Sequence, residues 1–396
     1  MKRVRVLVTD ADSTKALAVV RALGPTMEVW TASETRFPLA AWSRHSTRHV
    51  VCRARPDEFA RSILDICTKN AIDVVIPPEE RTSFLLARER ERFANAGVVL
   101  TAAPLATLEV ALDKARTVDA ARAAGVPVPK TATITDRRSA VSAARELGYP
   151  IVLKPRFSHY WAGDRFVSTD GVRYASSEAE LITALNEMPQ EAPLPLLQEF
   201  IPGRGLGIFL LLGSDGSVLA EFAHERLRDL RPTGSGSVLR RSVAVEPHLR
   251  ELALRLLRHI GWRGAAMVEF RSDDRDGEPK LMEINGRLWG SLQLATDAGV
   301  NFPALLVDDA LGKPNRANGY ESGVVVRWWL GDLVRLFRVL KGRPAGFTGS
   351  FPSPLSAIWE FLGPQPRGTR QEILRWSDPF PAVGEIVSAL ARGRGP

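Results

Sequence analysis

Two glutamates, Glu269 and Glu283, lie in the strand-like runs GAAMVEFRS and KLMEINGR, which the polar turn DDRDGEP joins. A symmetric hairpin centred on Asp276 places Glu269 opposite Glu283, and directly opposed carboxylates repel each other. Asn285 lies two residues beyond Glu283, so on a strand it shares the same face. Oxygen ligands of this kind suit Mg²⁺ that is also held by phosphates. The pattern indicates a magnesium site, and the solvated face of an edge hairpin is the open alternative.

Four basic residues could complete such a site. Arg287 continues the face of Glu283 and Asn285 as an anion clamp, and Lys154 ends the apolar strand YPIVLKP, where a lysine must either reach solvent or meet an anion. Lys114 lies on an amphipathic helix and by itself would be a surface lysine. Arg240 belongs to the Gly- and Arg-rich segment ERLRDLRPTGSGSVLRR, whose composition suits capture of a phosphate or carboxylate. A mobile surface loop is the alternative for that segment.

The segment LLQEFIPG places Gln198 and Glu199 at the end of a strand, before a Pro-Gly turn. A backbone edge at such a point can bind an adenine. An ordinary strand end explains the same pattern, so both interpretations stay open here.

The elements that must position these residues fall into three units, at residues 1–103, 104–319 and 320–396. In the first, strand-like runs alternate with amphipathic helices, which predicts a small parallel α/β domain. It lacks GxGxxG, which argues against a nicotinamide site. The second unit is predicted to be α+β with antiparallel strands, including a hairpin within RFVSTDGVRYA. The third is an extension whose last helix is predicted near Val383 to Arg392.

Composition limits the function classes further. The 396 residues include 53 Lys and Arg against 45 Asp and Glu, a formal charge of +8, and the excess is spread along the chain, so nucleic-acid binding is not expected. Only Cys52 and Cys67 are present, too few for a disulfide framework. We find neither a signal peptide nor a run of about 18 apolar residues. A soluble cytoplasmic protein is therefore expected.

One basic amphipathic segment, VVVRWWLGDLVRLFRVLKG, lies in the extension. Its apolar residues run beside Arg327, Arg335, Arg338 and Lys341. Such helices lie on anionic membranes in some proteins. The preferred interpretation is a stripe that packs on its own domain or on a second subunit of a homo-oligomer.

Taken in order, these segments resemble the ATP-grasp superfamily of carboxylate-amine ligases over roughly residues 1–312. The order and spacing of the segments carry the resemblance. It implies a small α/β domain followed by a two-lobed fold with antiparallel sheets that grips ATP.

The resemblance also implies roles for the residues above. Lys114 in LDKARTVDAARAAGVPVP and Lys154 in IVLKP match the lysines that hold the ATP phosphates, and Arg287 matches the arginine that meets the reacting acyl phosphate. Arg240 is the second candidate catalytic residue. The segment that contacts adenine is matched by Gln198, Glu199, Phe200 and Ile201, and the Mg²⁺ ligands are matched by Glu269, Glu283 and Asn285.

Two departures from the family pattern stand out. The usually glycine-rich loop after Lys154 reads RFSHYWAGD, so the lid must close differently or bind substrate through Tyr160 and Trp161. Gly205 follows IPGR where relatives often carry an acid that binds the ribose, which leaves the ribose contact unassigned.

The activity implied is phosphoryl transfer from ATP to a carboxylate, with Mg²⁺ or Mn²⁺, followed by attack of an amine on the acyl phosphate. The substrates are small molecules, and the sequence identifies neither the acid nor the amine. Two alternatives remain: an enzyme of the same fold that acts as a carboxylase or phosphotransferase, and a non-catalytic nucleotide-binding scaffold.

Overall fold

The computed structural model describes residues 3–53, 55–163, 165–169, 171–234, 236–313, 315–344, 347 and 349–391. Within these ranges the strands form a five-stranded, a four-stranded and a seven-stranded sheet, together with a separate two-stranded ribbon. The fold class predicted from the sequence, a parallel α/β unit followed by antiparallel lobes and a C-terminal extension, is confirmed.

The first unit is a parallel sheet in the order β3-β2-β1-β4-β5. Its strands are β1 (Arg5–Val8), β2 (Glu28–Ser33), β3 (Arg48–Val51), β4 (Val74–Ile76) and β5 (Val99–Leu100). The helices are α1 (Thr14–Leu23), α2 (Phe59–Asn70), α3 (Glu80–Ala87) and α4 (Arg90–Asn95), and a 3₁₀ turn spans Leu39–Trp42. Apolar runs such as VVI in β4 are buried because helices cover both faces of a parallel sheet.

Two helices, α5 (Leu105–Leu112) and α6 (Lys114–Ala123), connect the first unit to a small lobe. Asp113 caps α6 by accepting a hydrogen bond from the amide of Ala115 at 3.0 Å. This cap fixes the point at which Lys114 leaves the helix N-terminus.

The small lobe contains an antiparallel sheet in the order β10-β7-β11-β6. Its elements are β6 (Thr131–Thr133), α7 (Arg137–Leu147), β7 (Ile151–Lys154), β8 (His159–Ala162), β9 (Arg165–Ser168), β10 (Arg173–Ala175), α8 (Glu178–Asn186) and β11 (Leu196–Glu199). The predicted hairpin within RFVSTDGVRYA is wrong. Strand β9 pairs with β8 to form the separate ribbon, whereas β10 pairs with β7 of the four-stranded sheet, so β9 and β10 do not face each other.

The large lobe is built on the seven-stranded sheet, in the order β16-β15-β12-β13-β14-β17-β18. Its elements up to residue 310 are β12 (Gly205–Leu212), β13 (Val218–Arg228), β14 (Leu239–Val243), α9 (Pro247–His259), β15 (Gly264–Ser272), β16 (Pro279–Asn285), α10 (Leu292–Asp297) and α11 (Phe302–Ala310). One apolar core joins Val6 and Leu17 of the first unit to Phe209, Trp289 and Leu305 of the large lobe. The parallel sheet is therefore fixed against the lobe that carries the acidic hairpin.

The C-terminal extension adds two strands to the same large sheet. Its elements are β17 (Val325–Arg327), α12 (Trp329–Leu340), α13 (Pro354–Leu362), β18 (Arg370–Gln371) and α14 (Phe380–Ala391). Since β17 pairs with β14, the large sheet continues across the predicted boundary at 319, and the division into three units stays a prediction. Arg392, the predicted end of the last helix, lies outside the described residues.

The predicted polar face of the amphipathic segment needs correction. Arg327 and Arg335 point inward, toward Asp332 and Glu360, while Phe337 on α12 is exposed. The arginines are buried because each one meets a carboxylate there. No described helix is long and apolar enough to cross a membrane.

Candidate active site

The hairpin of β15 and β16 brings Glu269 directly opposite Glu283, as the sequence predicts. The hairpin is not symmetric on the turn side of this pair, since Phe270 pairs with Leu281. A β-bulge between Glu269 and Phe270 shifts the register by one residue, so that Glu269 and Glu283 face each other. Both carboxylates line a cleft of about 620 Å³ between the small and large lobes. Two acids thus share one face of the sheet.

The electrostatics of the two acids are unequal. Burial raises the pKa of Glu269, and the charge of Glu283 raises it further. Burial also disfavours ionisation of Glu283, but Lys154, Lys114 and a hydrogen bond from Asn285 outweigh it and lower the pKa of Glu283. Glu269 accepts no hydrogen bond from any side chain in the described part of the chain. Glu269 is half-buried, and its carboxylate faces the cleft without a side-chain donor from the described residues.

Two lysines from different segments face this hairpin. Lys154, at the end of β7, donates from Nζ to the carbonyl of Met282 at 2.6 Å. Burial lowers the pKa of Lys154 to about 8, although Glu283 and Glu269 oppose that shift. Lys114, at the start of α6, is buried and donates to Ser158 Oγ at 3.2 Å. The small lobe and the connecting helix therefore each supply one ammonium group.

Asn285 and Arg287 continue the row from Glu283. Asn285 donates from its amide nitrogen to Glu283 at 3.0 Å, and Arg287 donates to the amide oxygen of Asn285 at 3.0 Å. All three residues line the cleft, as the alternation along a strand predicts. Within the described ranges no three His, Cys, Asp or Glu side chains form a metal cluster. The hairpin offers two carboxylates and one amide instead.

Three of the four residues of the predicted adenine segment line the cleft, and the fourth, Glu199, forms hydrogen bonds outside it. Gln198, Phe200 and Ile201 line the cleft, whereas the carboxylate of Glu199 accepts from the Lys130 amide at 2.8 Å and from Arg275 at 3.1 Å. Glu199 therefore braces the junction between the lobes with its side chain. This second bond was not visible in the sequence, because Arg275 is 76 residues away.

The cationic segment around Arg240 is more ordered than a capture loop. Arg240 lies on β14, is buried, and pairs with Glu372 of the extension. Arg241 pairs with Glu225, and Arg228 pairs with Asp332. Arg240 still lines the cleft, but a mobile cationic loop does not describe these arginines, because carboxylates on other elements pair with them.

Several residues of the cleft were missed from the sequence. Lys15, at the start of α1, pairs with Glu79 at 2.5 Å, and burial together with the charge of Arg287 lowers the pKa of Lys15 to about 8. His224 on β13 and Glu372 next to β18 also line the cleft. Lys15 follows the carboxyl end of a parallel strand, a position where ligands bind in α/β sheets, and that signal was available. Nothing in the sequence connects residue 372 to the cleft.

The aromatic ribbon that replaces a glycine-rich loop lies against the first unit. Phe166 stacks on Phe84 of α3 with ring centroids 6.4 Å apart, and His159 lies 3.5 Å from Glu80. Tyr160 lines, with these residues, a second cavity of about 500 Å³. The ribbon therefore packs through aromatic side chains.

Comparisons with known proteins agree with this geometry. The family described as "ATP-grasp in the biosynthetic pathway with Ter operon" matches residues 191–330, a range that contains the acidic hairpin and Arg240. Over these matched residues the chain is similar to ATP-grasp proteins. A D-alanine–D-alanine ligase of Albidiferax ferrireducens is 26% identical over 231 residues, 54% of this chain and 63% of the relative.

Solved ATP-grasp structures share the fold. A biotin carboxylase–β-γ-ATP complex from Campylobacter jejuni has a TM-score of 0.66 at 18% identity, covering 82% of this chain and 74% of that one. An ADP complex of N5-carboxyaminoimidazole ribonucleotide synthetase has a TM-score of 0.65 at 16% identity, covering 86% and 85%. The resemblance inferred from the sequence is confirmed. Because the chain spans under two thirds of the D-alanine–D-alanine ligase, its own reaction is a separate question.

Proposed function

We propose that this ATP-grasp protein is an ATP- and Mg²⁺-dependent ligase that activates a carboxylate as an acyl phosphate and joins it to an amine. The observation that carries the proposal is the half-buried, directly opposed pair Glu269 and Glu283, facing Lys154 in a cleft between two antiparallel sheets. Directly opposed carboxylates repel each other, and a bound cation would offset that repulsion. Relatives named as ligases and carboxylases support the same class.

The donor set fits a magnesium ion. Glu269, Glu283 and the amide oxygen of Asn285 would hold it, with the remaining positions left for water and phosphate oxygens. In the structure the Asn285 nitrogen faces Glu283, so its amide would turn to present the oxygen. When bound, the ion would offset negative charge on the phosphates of ATP.

The basic residues would bind and orient the phosphates. Lys154 and Lys114 approach Glu283 from opposite segments, and both lower the pKa of that acid, which supports their facing one site. Arg287, held by Asn285, would position the anionic oxygens of the acid substrate. Gln198, Phe200 and Ile201 would surround the adenine at the junction of the lobes.

The proposed reaction has two steps. A carboxylate oxygen of the acid attacks the γ-phosphorus of ATP, the bond to the bridging oxygen breaks, and ADP leaves. The amine nitrogen then attacks the acyl carbon, the bond to the phosphate oxygen breaks, and inorganic phosphate leaves while the nitrogen loses a proton. No nucleophile of the protein is required.

The test is a screen of carboxylic acids and amines for release of ADP and phosphate, with hydroxylamine added to trap an acyl phosphate as a hydroxamate. We expect one class of acid to give hydroxamate only when ATP and Mg²⁺ are present. ADP release that requires bicarbonate and no amine would instead indicate a carboxylase. ATP binding without turnover for any acid would indicate a scaffold and would end the ligase proposal.

A further inference from the structure

Large apolar side chains are exposed mainly in one part of the molecule. Of the eighteen that are exposed in the described ranges, thirteen lie between residues 329 and 387. Scattered single apolar residues are normal on a surface, but a concentration of this kind marks an interaction site. The feature is separate from the cleft and plays no part in the proposed reaction.

Helix α13 carries the clearest apolar stripe. Leu355, Ile358, Trp359 and Leu362 recur at the spacing of one helix face, and Leu355, Trp359 and Leu362 are 80%, 71% and 74% exposed. An amphipathic helix normally turns such a face toward a core. Here the small residue Ala357 is buried and the large apolar side chains point outward.

The neighbouring helices extend this surface. Trp329 of α12 lies against Phe361 of α13, with ring centroids 5.8 Å apart. Trp328, which precedes α12, donates from Nε1 to Glu385 of α14 at 2.7 Å. The start of α12 therefore lies between α13 and α14. We call the exposed apolar faces of α12, α13 and α14 the C-terminal apolar surface.

The carboxylates of this segment turn inward. Asp332 pairs with Arg228 and Arg327, Glu360 pairs with Arg335, and Glu385 accepts from Trp328. The two other acids between residues 329 and 388 pair with arginines elsewhere in the fold, namely Glu372 with Arg240 and Asp378 with Arg21. Negative charge is thereby neutralised inside the protein.

The charges left outside all have one sign. Between residues 329 and 388, the charged side chains that are exposed in the described part of the chain are Lys341, Arg343, Arg367 and Arg370. Lys341 and Arg343 directly follow Leu340, at the exposed end of α12. Apolar faces with tryptophans, flanked by cations and free of exposed acids, have the composition of a surface that inserts shallowly into a lipid interface.

We propose that the C-terminal apolar surface docks on an anionic lipid bilayer, with its apolar side chains in the interface and its lysine and arginines over acidic headgroups. Charge complementarity favours an anionic bilayer as the binding partner of this surface. A second copy of the same face would bring Lys341 and Arg343 toward a surface that has no exposed acid among the described residues between 329 and 388, and like charges across an interface oppose association. An anionic bilayer offsets the same charges.

The experiment is flotation of the full chain with phosphatidylcholine vesicles that contain or lack phosphatidylglycerol. We expect strong binding to the anionic vesicles, weak binding to the neutral ones, and release when salt rises from about 0.05 M to about 0.5 M. Trp359→Ser/Leu362→Ser should weaken binding about a hundredfold through lost apolar burial. Lys341→Glu/Arg343→Glu should weaken it at least about tenfold.

Matched controls come from exposed residues elsewhere. Val172→Ser/Ile182→Ser on the small lobe and Arg61→Glu/Lys69→Glu on α2 should bind like the wild type. Because the substituted side chains are exposed, circular dichroism and the Tm should be unchanged. Absence of vesicle binding, equal binding to neutral and anionic vesicles, or binding that both C-terminal variants retain each overturns the proposal. A dimer that Trp359→Ser/Leu362→Ser converts to monomers, without vesicle binding, also overturns it and identifies a second copy as the occupant.

Discussion

Buried charge is arranged in opposite ways in two regions of this protein. At the root of the C-terminal helices, Asp332 accepts from Arg228 at 2.6 Å and from Arg327 at 2.7 Å, so the charges are matched within the protein. On the β15–β16 hairpin, Glu269 faces Glu283, and neither acid forms an ion pair of that kind in the described ranges. A matched cluster is explained by the folded chain alone. The unmatched pair is where the proposed Mg²⁺ would bind.

The largest effect is expected at the opposed pair Glu269 and Glu283. Glu283→Gln removes one charge that would hold Mg²⁺, and we expect turnover to fall about 10²- to 10³-fold or more, as for loss of a key electrostatic group. The Tm without ligand should fall slightly, because the substitution removes a charge that Lys154 and Lys114 stabilise, as the lowered pKa of Glu283 indicates. Steady-state ADP release and thermal unfolding measure the two effects. Glu221→Gln, which removes a half-buried partner of Arg250, is the control and should keep full turnover. Full activity of Glu283→Gln would refute the metal assignment.

At the matched cluster the expected effect is on stability. Asp332→Asn leaves Arg228 and Arg327 buried without a carboxylate, and we expect the free energy of unfolding to fall by about 3–5 kcal/mol. Urea denaturation measures it. Asp276→Asn, at the exposed turn of the acidic hairpin, loses only a surface pair with Lys280 and should cost less than about 1 kcal/mol. Equal losses of unfolding free energy in the two variants would show that the buried ion pairs of Asp332 contribute no more to stability than a surface pair.

Glu385 is a third case, a largely buried acid whose hydrogen-bond partner, Trp328, is neutral. Burial raises the pKa of Glu385 to about 7 from an ordinary value of 4.5. The folded state therefore holds a proton that the unfolded state releases between pH 4.5 and 7. The stability from this group is fully present below pH 4.5 and is lost as pH rises through 7.

Glu385→Gln should therefore flatten the stability profile. We expect the variant to gain about 2–3 kcal/mol relative to the wild type at pH 8, and close to nothing at pH 4.5. The amide oxygen can still accept from Trp328. Unfolding free energies at both pH values provide the measurement, and a difference that does not change with pH contradicts the raised pKa.

The smallest effect is expected at the rim of the matched cluster. Arg335→Gln removes the partner of Glu360, but the Glu360 side chain is 33% exposed and stays partly hydrated. We expect a loss of about 1–2 kcal/mol in unfolding free energy, below that of Asp332→Asn. Urea denaturation of both variants in one buffer decides the order. A larger loss for Arg335→Gln would place the main electrostatic support at Glu360.

Local pattern predicted much of the candidate site. The two-residue spacing of Glu283, Asn285 and Arg287 placed them on one strand face, and the turn at Asp276 placed Glu269 opposite Glu283. Strand alternation is a local property, so neighbouring residues suffice to infer it. The bulge that sets the final register was not predicted, because it depends on packing of the whole sheet.

Prediction failed where partners are distant in sequence. The sequence places Arg240 in a segment suited to anion capture, but Glu372 pairs with it, and the amphipathic pattern around Arg335 gives no sign that Glu360 pairs with that residue. A run of arginines has the same composition whether it is mobile or ion-paired. Whether its arginines form ion pairs depends on acidic residues in other elements of the fold.

The sequence by itself indicated the resemblance to ATP-grasp proteins, through the order and spacing of its segments, and the acids and lysines that could serve a nucleotide site. It also placed Glu283, Asn285 and Arg287 on one strand face, because strand alternation acts over a few residues. The tertiary structure alone decided which charges are matched inside the protein, which face of α13 points outward, and how the extension contributes Glu372 to the cleft. Those outcomes depend on contacts between segments far apart in the chain, for which the linear order contains no direct signal.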